Sequence, residues 1–199
     1  MALADLDTSL ATIGQPVSGG SAWVSFSDKA TLPTDATTKM STLEGWESLG
    51  EFTDDGFTEG KSVSNDTKKG WHGTPLAVIT TDESRTYKFV CAEIGRPSVE
   101  KLRYGADNVE TGTDGSVSAI HDKFGVTTIA PFVLDTLESN GFLHRIVVKK
   151  ARVTDYDDAT YKGTDIVTHG VTITVLDPGD GSAAVEHYRA KPAASTPGK

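Results

Sequence analysis

The sequence offers almost nothing that could fasten the chain covalently or seat it in a bilayer. Its single cysteine, Cys91, excludes an intramolecular disulfide and any cysteine-rich zinc site. No stretch approaches the ~20 consecutive apolar residues of a membrane span. The first twenty residues carry Asp5 and Asp7 but no Lys or Arg, which excludes the basic start of a signal peptide. Positive charge is also scarce: 19 Lys and Arg stand against 28 Asp and Glu, a net charge of -9. Such a surface repels phosphate and gains no counterion-release term, so tight binding of nucleic acid through a basic patch is not expected. A surface that DNA slides past without sticking suits the same balance.

Catalytic constellations are missing too. The five histidines, His72, His121, His144, His169 and His187, show no metal-ligand spacing on one element. Asp155-Tyr156-Asp157-Asp158 lacks the Gly and the distal Glu of an EF-hand loop, and Asp177-Pro178-Gly179-Asp180-Gly181 is explained by turn chemistry. There is no Gly-x-Ser-x-Gly elbow, and Gly112-Thr113-Asp114-Gly115 is not followed by the Lys of a phosphate loop. Cys91 falls on the inward face of an alternating run, where a buried small hydrophobe is expected rather than a thiolate. No catalytic residue, metal or cofactor is assigned.

What remains is strand. The chain has 199 residues, 37% hydrophobic and 24% charged. Its mean hydropathy is -0.28 and its mass 21.1 kDa. A chain of that mass buries about 70% of its unfolded surface, enough for one real core. Residues 1–20, ending in the breaker cluster Gln15-Pro16-Val17-Ser18-Gly19-Gly20, read as a weakly ordered start. Residues 21–189 read as one domain and 190–199 as a flexible tail. Strand patterns cover 22–27, 76–80, 85–91, 129–137, 142–154, 167–176 and 184–189. Asn140-Gly141 between two of these runs is a hairpin signal, both residues tolerating positive φ. One helix is expected over 97–104, with Pro97 at its start and Gly105 just past its end. Val99 and Leu102 give it a narrow apolar stripe, so it must lean on a sheet.

Residues 28–75 fit none of these patterns. They hold Trp46, Phe52, Phe57 and Trp71 among many Gly, Thr and Asp, and read as a long loop. Six acidic residues and no basic one lie between Lys39 and Lys61. A structureless loop of that length is uncommon in a compact domain and is more often functional, or ordered by a partner. Much of 30–70 is therefore expected to be mobile in a monomer. The four aromatics are candidate inter-subunit contacts; for Trp46 a small cluster under the loop is an equal alternative.

The order of features resembles the major tail protein, or tail tube protein, of long-tailed bacteriophages, especially those infecting actinobacteria. The resemblance lies in Gly45-Trp46-Glu47-Ser48-Leu49-Gly50, Asp54-Asp55-Gly56-Phe57, and a strand pair ending Thr86-Tyr87-Lys88-Phe89. It continues through Glu93 into the helix ending at Gly105, and then through the Asn140-Gly141 hairpin and the last strands. It implies a mainly β fold: an antiparallel β-sandwich or partial barrel with one short flanking α-helix and a long loop. The tube protein of the type VI secretion system is similar in fold. The resemblance further implies stacked hexameric rings whose strands form a continuous inner barrel. Genomic DNA passes through that barrel without specific binding. It implies no active site, no cofactor and no membrane, with other tail proteins such as the tape measure and tail terminator as partners. On this reading Glu59, Ser62 and Ser64 are candidates to face the lumen. The alternative from another class is a β-sandwich binding module for a carbohydrate or a protein partner, with Trp46 and Trp71 as stacking platforms.

Overall fold

The computed structural model describes residues 11–17, 20–27 and 29–191. Eleven strands and one α-helix run in the order β1 (Gly14–Gln15), β2 (Ala22–Val24), β3 (Glu47–Ser48), β4 (Phe52–Lys69), β5 (Pro75–Cys91), α1 (Pro97–Tyr104), β6 (Val109–Thr111), β7 (Val117–Ile120), β8 (Ile129–Glu138), β9 (Leu143–Tyr156), β10 (His169–Val175) and β11 (Val185–Ala190). Nine of these strands form one antiparallel sheet, with the path β3-β2-β8-β9-β10-β5-β4, β1 added to β8 and β11 added to β9. β6 and β7 form a separate small hairpin. Most of residues 1–20 and 190–199 lie outside the described residues; the described part includes β1, which pairs with the end of β8.

β9 is where the sheet turns a corner. Its first half, Leu143 to Val148, pairs with β11, and its last part, Ala151 to Tyr156, pairs with β10. Opposite the change, the β8 register slips between Ala130 and Phe132. An extra residue in one strand bends it and raises its twist, which lets a strand pass from one layer of a sandwich to the other. The sheet does not close into a barrel. Between the layers lies the main core: Ala22 and Val24 of β2, Phe132 and Leu134 of β8, Ile146 and Val148 of β9, Tyr87 and Phe89 of β5, and Val171 and Ile173 of β10. β8 and β9 are buried on both faces, because Val133 and Val147 point the other way, into a second cluster with Met40 and Trp46.

α1 forms as the sequence dictates. Pro97 presets the first helical φ, and Gly105 ends the helix at φ +89°, where a Cβ would meet Val126 Cγ1 at 2.7 Å. Val99 and Leu102 are buried in the main core. Ser98 Oγ donates to Ser48 O (2.6 Å), and Lys101 Nζ bonds Glu47 Oε1 (2.9 Å), so the helix is tied to β3.

Three expectations need correction. First, the segment 28–75 is not one long loop: its residues Phe52–Lys69 are β4, an 18-residue strand paired with β5 from Phe52 opposite Cys91 to Lys69 opposite Pro75. The runs 76–80 and 85–91 are parts of a single 17-residue strand. β4 carries no apolar period because its partner strand holds it through backbone hydrogen bonds. Most of it faces solvent on both sides, so it needs no alternation of apolar residues. Second, the rest of the segment is tied to the body of the same chain by hydrogen bonds. Asp35 Oδ1 accepts from the backbone N–H groups of Thr37 and Thr38, and buried Arg145 donates to Asp35 O and Thr38 O (3.0 and 2.8 Å). Third, the β8–β9 turn is not the mirror-image kind. Gly141 alone has positive φ (+84°), Gly141 N donates to Glu138 O (2.7 Å), and Asn140 Oδ1 accepts from Phe142 N. That is a type I turn followed by a left-handed glycine.

Candidate functional site

Chemistry is confined to structural tasks. The Cys91 thiol is fully buried and pushed up to about 12 by burial, which removes it as a nucleophile. His144 Nε2 and His187 Nδ1 lie 3.2 Å apart across β9 and β11. Among the described residues, no three His, Cys, Asp or Glu side chains converge on a point that could hold a metal. The features that stand out are instead surfaces, and three of them involve the β4–β5 hairpin.

The outer half of that hairpin projects as a two-stranded ribbon. From Lys61 to Lys69, and from Pro75 to Glu83, every residue is exposed. The turn closes by Gly70 N donating to Thr74 O and Gly73 N donating to Gly70 O, both at 2.8 Å, with Gly73 at φ +78°. Trp71 sits on this turn with 99% of its surface accessible. Behind it, Leu76, Val78 and Ile79 are 72%, 66% and 49% exposed. The strand pattern at 76–80 is real, but this apolar run has no core beneath it. An isolated two-stranded ribbon is marginal in water, and a row of exposed apolar side chains on it marks a contact surface.

At the root of the ribbon is a cleft of about 630 Å³. It exists because β4 bulges: Phe52 pairs with Cys91 and Phe57 with Phe89, so Thr53, Asp54, Asp55 and Gly56 swing out against a single opposing residue, Val90. Phe52 and Phe57, both half-buried, line the cleft, and Phe52 stacks on Phe89 with centroids 5.0 Å apart. Glu51, Asp54 and Asp55 rim it, and no described lining residue is Lys or Arg. Thr53 Oγ1, also at the cleft, is buried without a hydrogen-bond partner.

The third surface is the face of the hairpin turned away from the core. Register puts Gly60 opposite Thr86, Ser62 opposite Ser84 and Ser64 opposite Asp82. The same face continues onto β10 and β9 through Thr172, Thr174 and Thr154, with Thr154 Oγ1 and Thr174 Oγ1 2.9 Å apart. Its one cation on β5, Lys88, is paired with Asp157 Oδ1 at 2.9 Å. The result is a wall made mostly of small hydroxyls; Asp82, opposite Ser64, and Arg152, opposite Thr174, share it and make no ion pair among the described residues.

The candidate residues therefore separate. Ser62 and Ser64 share the hydroxyl wall, but Glu59 lies on the opposite side, where its Oε1 accepts from Tyr87 OH at 3.0 Å. Strand alternation forbids all three from lining one surface. Trp46 is only 8% exposed and donates from Nε1 to Thr31 O (2.9 Å), so the alternative of a cluster under the segment is the one the fold adopts. That also removes the paired Trp46 and Trp71 platform of a carbohydrate module. The exposed Leu76, Val78 and Ile79 were not singled out from sequence. The signal for them was the Gly70-Trp71-His72-Gly73 punctuation midway between two runs of similar length.

No curated protein matches the chain. One family model does, over residues 20–197, nearly the whole sequence and every strand but β1. The described residues form an open antiparallel sheet with a single α-helix and a long ribbon without its own core. The matching family is the phage tail tube protein, and the chain belongs to it, as a structural component of the virion tail and not an enzyme.

Proposed function

We propose that copies of this chain close into hexameric rings, that the rings stack into a hollow tail tube, and that phage DNA passes through the tube during ejection. The observation that carries this reading is the ribbon of β4 and β5, which exposes Trp71, Leu76, Val78 and Ile79 to water in a single chain. Those side chains gain their burial only against another molecule. Sheet edges support the same reading: β4 ends the main path with one edge unpaired, and ring closure is one way to cover such an edge.

The lumen wall is assigned to the hydroxyl face, with Ser62 and Ser64 joined by Ser84, Thr86, Thr154, Thr172 and Thr174. Hydroxyls stay hydrated and offer phosphate no fixed cation, and Arg152, opposite Thr174, brings a single guanidinium to this face, too little to hold DNA. The net charge of -9 adds repulsion over about a Debye length, roughly 8–10 Å at physiological salt. Tape measure and tail terminator proteins complete the partners of such a tube.

Sedimentation velocity with negative-stain microscopy tests the reading. Hollow rings or tubes with sixfold views are expected as concentration rises. A protein that stays monomeric at every concentration overturns it.

A further inference from the structure

We propose that the ribbon tip of one copy docks in the root cleft of a second copy, with Trp71 seated on Phe52 and Phe57 and the tip lysines facing Asp54 and Asp55. The occupant of the cleft is thus a second molecule of this same chain; the proposal rests on the self-assembly reading and names its contact. The two surfaces complement each other in both shape and charge. The tip carries Lys68, Lys69 and His72 around Trp71, with no acidic residue between Lys68 and Gly73. Lys68 pairs with Asp66 on its own strand, and Lys69 makes no ion pair among the described residues. In a chain of net charge -9 this is a local excess of positive charge. The cleft is the reverse: Glu51, Asp54 and Asp55 rim it and make no ion pair among the described residues. Its floor is two half-buried aromatic rings, and its volume of about 630 Å³ accepts an indole with room for the turn that carries it.

The energetics favour Trp71 as the anchor. A tryptophan buries about 150–250 Å² and gains further from offset or edge contact with other rings. Its indole N–H needs an acceptor once buried, and the rim carboxylates of Asp54 and Asp55 supply one. Tip lysines placed against those carboxylates steer the encounter and fix its orientation.

The contact can form only between molecules. Phe57, in the cleft, and Lys69, at the tip, are twelve residues apart on one strand, about 40 Å at roughly 3.3 Å per residue. A tip that cannot reach its own cleft and fits another's makes a head-to-tail contact. Such contacts close into rings or run on as filaments according to the rotation between copies.

Charge reversal tests the pairing. K68E/K69E at the tip and D54K/D55K at the cleft should each raise the concentration needed for assembly about tenfold or more, with an unchanged melting temperature. Mixing the two variants should restore assembly between them, since each then offers the complement of the other. Crosslinking is independent of any loss of function. A short bismaleimide should join H72C to D55C when the two single variants are mixed, and should leave either variant alone unlinked. If wild type assembles while the reversals assemble equally well, or the mixture neither recovers nor crosslinks, the tip and cleft are not partners and the proposal is overturned, with self-assembly intact. If wild type itself never assembles, the broader reading fails first and this proposal with it.

Discussion

Arg145 is 4% exposed and spends its whole guanidinium inside the protein. Nε and one terminal nitrogen grip Asp135 at 2.8 Å each, and the other terminal nitrogen holds the carbonyls of Asp35 and Thr38. Removing one partner of a buried pair strands the other charge, so Arg145→Leu should cost about 3–5 kcal/mol in urea denaturation. Adding Asp135→Asn should return part of that loss. Gly141 is a purely conformational case. A Cβ there meets nothing within 4 Å, but φ is +84°, so Gly141→Val pays for backbone strain alone, about 1–2 kcal/mol, read as a lower melting temperature. His169 sets a pH dependence. It is 2% exposed, and neither ring nitrogen has a hydrogen-bond partner. Burial, helped by the Arg103 charge, lowers it from 6.5 to about 4. Unfolded, the imidazole takes its proton near 6.5; folded, it does so only near 4. Its contribution is therefore complete above about pH 6.5 and is lost as pH falls toward 4, about 2 kcal/mol between pH 7 and 5. Glu100, whose Oε2 lies 3.8 Å from His169 Nδ1, is raised by its own burial and works in the opposite sense, taking up a proton more readily when folded. Measured across that range, His169→Gln should show a flatter decline in stability than wild type.

Among the elements, the β4–β5 ribbon separates stability from assembly. Its root shares the main core through Tyr87, Phe89 and Cys91, while its outer half buries nothing. Replacing residues 66–79 with a two-residue Asn-Gly turn should leave the melting temperature within a few degrees of wild type and abolish assembly. Amides of 63–80 should exchange quickly in the monomer by local opening and slow markedly in the assembled state. Legibility from sequence followed the same division. Elements that bury a side chain on every second or third residue were readable: α1 falls at 97–104, and β8 and β9 flank Asn140-Gly141 as their alternation demands. β4 was not, since Ser, Thr, Gly, Asp and Lys along it record no contact with a core. The cleft was half readable. Phe52, Phe57 and the acidic run could be named, but the bulge that groups them depends on which residues of β5 lie opposite, and register over an exposed pair leaves no mark in one strand alone.

At the scale of the whole molecule, charge sets the relation to DNA. A protein of net charge -9, with a hydroxyl face whose β5 lysine is already paired, should leave duplex DNA unretarded in a gel-shift assay even at low ionic strength, assembled or not. Retardation that fades with added salt would show a basic track and count against the hydroxyl lumen. The ribbon has one more consequence, a mechanical one. The body of the chain is a sandwich braced by a packed core, whereas the ribbon from Lys61 to Lys69 is two strands thick for about 30 Å at roughly 3.3 Å per residue, the thinnest and most easily twisted part of the fold. In a tube whose copies are linked through such ribbons, bending strain concentrates in the connectors and spares the rings. The tube then flexes as a chain of stiff links on compliant hinges, and its bore keeps a constant width as it curves.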